Sequence, residues 1–365
     1  MKLSLFYDVL LLCSASLAVG QEYKSSRKIY VKSGQKIQKA IRSAPPGSEI
    51  VVAAGTYAEQ LLIAKDGIRL RGEEGAILQA PAIPTQNTCS GNFGPGTQAG
   101  ICIAGAGIEL AGFVAEHQKV LSVRRPVKGV SVSGFQVQGF AGNILVLGAE
   151  HTRIEHNTLL DGAIYGALAS GSHDTVIDGN TITSSNPAAP GLIAMCMDNF
   201  SGAYGSNNGI TFYVIGICIQ TDGAELHDNH VSYGCRLAFA DPYVKGIKIY
   251  NNHLHNSFNA CDALGSYGVT LAGPNGALVK GNLIEEIHNE GPSAGIYVAD
   301  DPCTEGSLAC SENPGVLVVA KNNKVVGNKL SNNDLDIWNN STGSGNVFRR
   351  NRCSSSLPEN ICRGR

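Results

Sequence analysis

A six-residue phrase built on asparagine constrains this chain more than any other feature. It reads Ile154-Glu155-His156-Asn157-Thr158-Leu159, with an apolar residue three before the Asn and another two after it. It returns as Ile177–Ile182, Leu226–Val231, Ile249–Leu254, Val279–Ile284, Val325–Leu330 and Phe348–Cys353, where Cys takes the second apolar place. The Asn positions step by 23, 49, 23, 30, 46 and 23 residues. A fixed phrase at a recurring step is a repeat architecture. Two short alternating runs around a polar corner are strand, bend, strand, with no room for a helix. Asn suits the bend because it tolerates left-handed backbone angles and bonds locally. Stacked Asn side chains can also bond to one another along the stack. The expected fold is all-β, a parallel solenoid with one coil per 22 or 23 residues.

Composition agrees. Of 365 residues only 16% are charged and 6% aromatic, against 44 Gly, which suits a narrow core of small aliphatic side chains. A solenoid grows by adding coils, so residues 21–365 are expected to form one domain. A net charge of -2 with no basic run argues against nucleic acid. No stretch after the N-terminus is long enough to span a membrane. Residues 1–20 read as a signal peptide, with Lys2, an apolar stretch from Val9 to Leu17, and Ala18-Val19-Gly20 as the cleavage site. Removing Cys13 with it leaves ten of the eleven cysteines, an even number that fits an oxidised, secreted protein. Spacing suggests the pairs Cys89–Cys102, Cys303–Cys310 and Cys353–Cys362, while Cys196, Cys218, Cys235 and Cys261 stay open. Asn199, Asn339 and Asn340 stand in glycosylation sequons.

An open solenoid end exposes core and strand edges, so both ends need caps. Residues 33–47 read as an N-terminal cap helix started by Ser33, and residues 353–365 as the C-terminal cap. Residues 79–118 and 186–209 read as loop excursions, and the 46-residue interval as two coils, Gly295–Val298 and Gly315–Val318 being successive strands. The segments Ile37–Ile41, Pro46–Val52, Gly55-Thr56-Tyr57-Ala58-Glu59 and Ile68–Gly72, with the Asn repeats, resemble the right-handed parallel β-helix of the pectin-lyase-like superfamily. That resemblance covers most of residues 30–352 and implies fold far more than activity. The 55–59 segment resembles an N-terminal element of pectin methylesterases, and Asp300-Asp301 the paired aspartates of polygalacturonases. The remaining motifs of those families, and of alginate epimerases, are absent.

Alternation predicts which side chains leave the core. On the third strand of each coil, Ile217, Ile219, Leu237, Phe239, Val269, Leu271, Ile296 and Val298 are expected inward, and Cys218, Gln220, Arg236, Ala238, Thr270, Tyr297 and Ala299 outward. Asp222, Asp241, Gly273 and Asp300-Asp301 then occupy the following corners, with Asp241 and Asp300 at one register about 9–10 Å apart. Such a carboxylate pair suits inverting glycoside hydrolysis. Catalysis would rest on Arg236, Asp241, Tyr297, Asp300 and Asp301, and Asp222, Asp241 and Asp300 could hold calcium. The competing reading is that these aspartates only cap turns. His227, His230, His253 and His255 form a second group, either a metal or base site or solvated corner residues. Lys248, Lys280 and Lys324 face outward on another sheet, either to bind an acidic polymer or as a solvated face.

The leading expectation is a secreted, monomeric glycan-active enzyme of lyase or hydrolase type, with a polysaccharide lying in a groove along the helix. The alternatives are a non-catalytic β-helix that binds a glycan or cell surface, and an isomerase or cyclase acting on a small molecule under the 79–118 and 186–209 loops.

Overall fold

The computed structural model describes residues 27–362, apart from 259, 260, 262–264, 305 and 312. The signal-peptide segment 1–20 lies outside the described residues. Three parallel sheets of 14, 10 and 11 strands run the length of the chain, each strand pairing with its counterpart on the neighbouring coils. The expected solenoid is present, and five disulfides join all ten remaining cysteines, adding Cys196–Cys218 and Cys235–Cys261 to the three expected pairs. Among the described residues no helix is long and apolar enough to cross a membrane.

The Asn phrase forms a continuous ladder. Each Asn Nδ2 donates to Oδ1 of the Asn on the next coil, at 2.9–3.1 Å, through Asn157, Asn180, Asn208, Asn229, Asn252, Asn282, Asn328 and Asn351. Asn157 through Asn328 are at most 2% exposed. The left-handed backbone belongs to the residue before the Asn, as at His156, Asp228 and Asn251 (φ 54–56°), or to a glycine such as Gly179. That residue turns the corner, which frees the Asn side chain to point into the stack.

Asn208 corrects one expectation. Residues 186–209 are a regular coil rather than an excursion: Gly191–Asp198 joins the third sheet and Ser201–Ser206 the first. Its phrase was hidden because Gly205 takes the apolar place, and Met197 and Leu226 fill the space a side chain there would need. The 46-residue interval is one coil, because Asn282 bonds directly to Asn328. Gly315–Val318 is no third-sheet strand; Val318 pairs with Asp301 inside an insertion closed by Cys303–Cys310. Residues 79–118 also contribute a core strand, Ala99–Ala104, before the strand Ala106–Leu110 pairs antiparallel with Val120–Arg125.

At the N-terminal end the helix is Ile37–Ser43, shorter than expected, and Lys36 rather than Ser33 precedes it. Its first amides are capped from another coil. Glu59 accepts from Ile37 N at 2.9 Å and Gln38 N at 3.2 Å, which places a carboxylate on the positive end of the helix. The 55–59 segment therefore has a structural task here. At the other end Ser356–Leu357 adds a last strand to the third sheet beside the Cys353–Cys362 disulfide.

Candidate active site

The outward face of the third sheet departs from simple alternation at Arg236. Ala238 pairs with Ile217 and Val269, and Ala240 with Ile219 and Leu271, so both alanines point inward and Phe239 outward. Leu237 is also buried in the core, making two consecutive inward residues at the corner where the chain enters the sheet. This extra inward residue shifts the expected register by one. Asp241 falls in line with Ala272 and Ala299, not with Asp300.

The same register brings together a different row. Ser170 pairs with Asp198, and Met197, Ile219 and Ala240 are aligned on successive strands. Asp198, Gln220 and Asp241 therefore occupy equal stations on three consecutive coils. Backbones two coils apart are separated by about 9–10 Å. These residues line a cleft of about 340 Å³ together with Asp222, Tyr243 and Asn313.

The loop from the first excursion closes over this row. Glu116, whose φ of 54° is left-handed, and fully buried His117 descend onto it. His117 holds Tyr165 Oη at 2.8 Å through Nδ1 and Asp198 Oδ2 at 3.1 Å through Nε2. Ser170 Oγ donates to the same Asp198 oxygen at 3.2 Å. Tyr165 is completely buried, and burial, with Glu116, Asp198 and Asp241 nearby, raises its hydroxyl well above the ordinary range. Burial also raises the Glu116 carboxyl and Asp198 adds to it, against His117, Tyr165 and Gln220. Glu116 Oε2 is buried without a hydrogen-bond partner. Asp241 is 7% exposed, and burial, reinforced by Glu116, Asp301 and Asp198 against Gln220, raises its carboxyl well above the usual range. The site is thus built from a carboxyl whose hold on its proton is strengthened by burial and a second carboxyl bonded by His117 and Ser170.

The other expected residues are placed differently. Asp300 accepts four hydrogen bonds, from Ala320 N, Ser341 Oγ, Thr342 N and Thr342 Oγ1, at 2.5–3.0 Å. Burial pushes its carboxyl up, but those donors outweigh it and hold it below the ordinary range. Asp301 accepts from Cys303 N at 2.7 Å within the disulfide loop. Both aspartates pin the insertion. Asp222 is exposed and accepts from Lys245 N. The calcium set Asp222, Asp241 and Asp300 is not brought together, because the register shift separates Asp241 from Asp300 and four donors occupy Asp300. Arg236 lies over the Phe239 ring at 4.7 Å, and burial lowers its guanidinium, against Tyr267, Asp241, Asp301 and Tyr297. Tyr297 stacks on Tyr267 at 4.6 Å and meets Trp338 at 4.8 Å, making an aromatic strip on the same face. Of the sequons, Asn340 is exposed, whereas Asn199 is 6% exposed with its amide donating to Gly202 O.

Sequence reasoning missed Glu116, His117, Tyr165 and Asp198. The first two stand in a loop that no period reaches, and Asp198 in the coil whose phrase lacks its apolar residue.

A family model described as the right handed beta helix region matches residues 142–304. No curated protein sequence matches the chain. Among solved structures, the chain is similar to a DFA-IIIase from Arthrobacter chlorophenolicus A6 in complex with GF2, at 12% identity and a TM-score of 0.57, over 89% of this chain and 94% of that one. It is similar to an alginate lyase from Paenibacillus sp. str. FPU-7 at 11% identity and a TM-score of 0.53, over 90% and 97% of the two chains. XylC in complex with xylose matches at 12% identity and a TM-score of 0.54, over 83% and 75%. At such identities the likeness is one of fold.

Proposed function

We propose, for a chain whose fold is the pectin-lyase-like right-handed parallel β-helix, that it is a secreted glycan-active enzyme cleaving a glycosidic bond in the Asp198–Asp241 cleft. The observation that carries this reading is the line Asp198, Gln220, Asp241 on three consecutive coils, with Glu116 laid over it. Asp241, whose carboxyl burial pushes towards the protonated form, gives its proton to the leaving oxygen. Asp198, oriented by His117 and Ser170, takes a proton from the attacking water. Two carboxyls with a residue between them leave room for that water, as inversion requires. Gln220 lies between the acid pair, where it can bond a sugar hydroxyl. Tyr297 and its stacked neighbours offer a flat apolar face to a sugar ring further along the groove. The five disulfides support an extracellular setting. The fold neighbours named for GF2, alginate and xylose support a glycan as substrate class.

A second reading is favoured by Arg236, whose guanidinium is lowered by burial, the direction an arginine base in β-elimination needs. One experiment separates them. Incubation with neutral and uronate oligosaccharides should yield new reducing ends without ultraviolet-absorbing unsaturated ends. Unsaturated ends would replace hydrolysis with elimination, and binding without any product would make the protein a glycan-binding β-helix.

A further inference from the structure

The second sheet turns three histidines to one spot on its outer face, on a different sheet from the cleft. His230 begins the strand His230–Ser232, and His253 and His255 flank Leu254 on the next strand. Register sets His230 beside His253, and His255 between Ser232 and Glu285. Val231 and Leu254 are fully buried, so alternation sends all three imidazoles outward. Their ring centroids are 4.4–4.7 Å apart. One ligating nitrogen from each lies within 4.8 Å of the other two.

A ladder of like residues stacks at equal stations, and only His230 and His253 do so here. His255 stands two residues beyond the His253 station, yet its ring crosses to His230, Nε2 to Nε2 at 2.8 Å. One proton fits between those atoms, so at least one lone pair is directed into the cluster. Glu285 Oε1 accepts from His253 Nε2 at 2.9 Å, adding a carboxylate that holds that ring. Convergent imidazoles beside an orienting carboxylate are the donor set of a transition-metal site.

We propose that His230, His253 and His255 bind a divalent transition-metal ion of the zinc class, with Glu285 as carboxylate partner. Imidazole nitrogens select zinc, nickel or copper over calcium or magnesium. Zinc–nitrogen bonds of about 2.0–2.1 Å put tetrahedral ligands roughly 3.3 Å apart, so the His230–His255 contact opens only slightly on binding. As the metal takes its place, the proton between those two nitrogens is replaced by one on the far nitrogen of the same ring, so both rings bind as neutral imidazoles. His230 is exposed, which leaves a further coordination position open to water. The ion would bridge two coils next to the loop tied by Cys235–Cys261, and so stiffen the chain segment that leads into Arg236.

The test uses the full chain without a polyhistidine tag, stripped with a chelator and titrated calorimetrically with zinc chloride, with calcium chloride as control. One zinc per chain and a raised melting temperature are expected, with no response to calcium. His230→Asn with His255→Asn should weaken zinc at least about 100-fold while leaving the metal-free melting temperature unchanged, and Glu285→Gln should weaken it about tenfold. No zinc binding, or equal binding by the double variant, overturns the proposal. If the double variant folds poorly, the cobalt spectrum of the unaltered protein decides: nitrogen-ligand bands bleached by zinc support the site, and the spectrum of the free aqua ion overturns it.

Discussion

Asp241 is aligned with Asp198 across Gln220 and displaced by one residue from Asp300. This single relationship divides the aspartates of the third sheet into two groups. Asp198 and Asp241 line the cleft, while Asp300 and Asp301 are consumed by hydrogen bonds that hold the insertion.

Removing either cleft carboxylate should abolish turnover without abolishing binding. For Asp198→Asn and Asp241→Asn, kcat is expected to fall by about 10²–10⁴, the usual contribution of a positioned acid or base, with KM changed little. Initial rates on whichever oligosaccharide the unaltered protein cleaves give the measurement. Unchanged kcat in both variants would remove the acid–base assignment.

The pH dependence of stability has a definite sign. Burial raises the folded-state pKa of Asp241 above its unfolded value, so the folded state holds the proton more tightly. The resulting stability is complete below the unfolded value of about 3.9 and is lost as pH rises towards the folded one. Glu116 acts in the same direction. Asp241→Asn should therefore melt higher than the unaltered protein at about pH 8, and the gap should close on acidification. Calorimetric scans at several pH values check this, and a lower melting temperature at the alkaline end contradicts it.

Asp300 should behave oppositely. Its carboxyl is held low, so its contribution is present above the unfolded pKa and disappears as pH falls through the folded one. Asp300→Ala leaves four donors without their acceptor and is expected to cost roughly 2–3 kcal/mol in urea unfolding at neutral pH. A loss of kcat with stability intact would return Asp300 to the chemistry.

Tyr297→Ala opens the aromatic strip between Tyr267 and Trp338. If the strip carries a sugar ring, KM should rise about three- to tenfold, corresponding to roughly 1 kcal/mol, while kcat stays near its original value. Steady-state kinetics on longer and shorter oligomers separates the two constants.

Asn229→Ala removes a rung. It deletes the donors to Asn252 Oδ1 and Gly205 O and the acceptor for Asn208 Nδ2, all buried. A loss of about 2–4 kcal/mol is expected in urea unfolding. A loss under 0.5 kcal/mol would show that the ladder follows the fold without supporting it.

The scaffold was legible because its signal repeats. Seven Asn phrases gave the coil and the stacking direction, and the cysteine spacing gave three of five disulfides. What failed was local. Alternation assigns faces only while the strand is regular, and the two inward residues Leu237 and Ala238 break it just ahead of the residues that matter. Asn208 was passed over because a glycine had replaced the apolar residue of its phrase, and Asp198 was lost with that coil. Glu116 and His117 come from a loop, where position follows from packing that no period records. Gln220, Arg236 and Tyr297 lie on the outward face as expected, whereas Phe239 points outward rather than inward and Ala238 inward rather than outward.

Every rung of the Asn ladder presents the same donor on one side and the same acceptor on the other. Any coil would therefore accept any other as its neighbour, and a chain relying on rungs alone could close with a whole coil skipped or repeated. The links that are not interchangeable break this degeneracy. Cys196–Cys218 joins one particular coil to the next, and the insertion after Asp301 fits one site only. The periodic part of the chain sets how coils stack, and its irregular parts set their order.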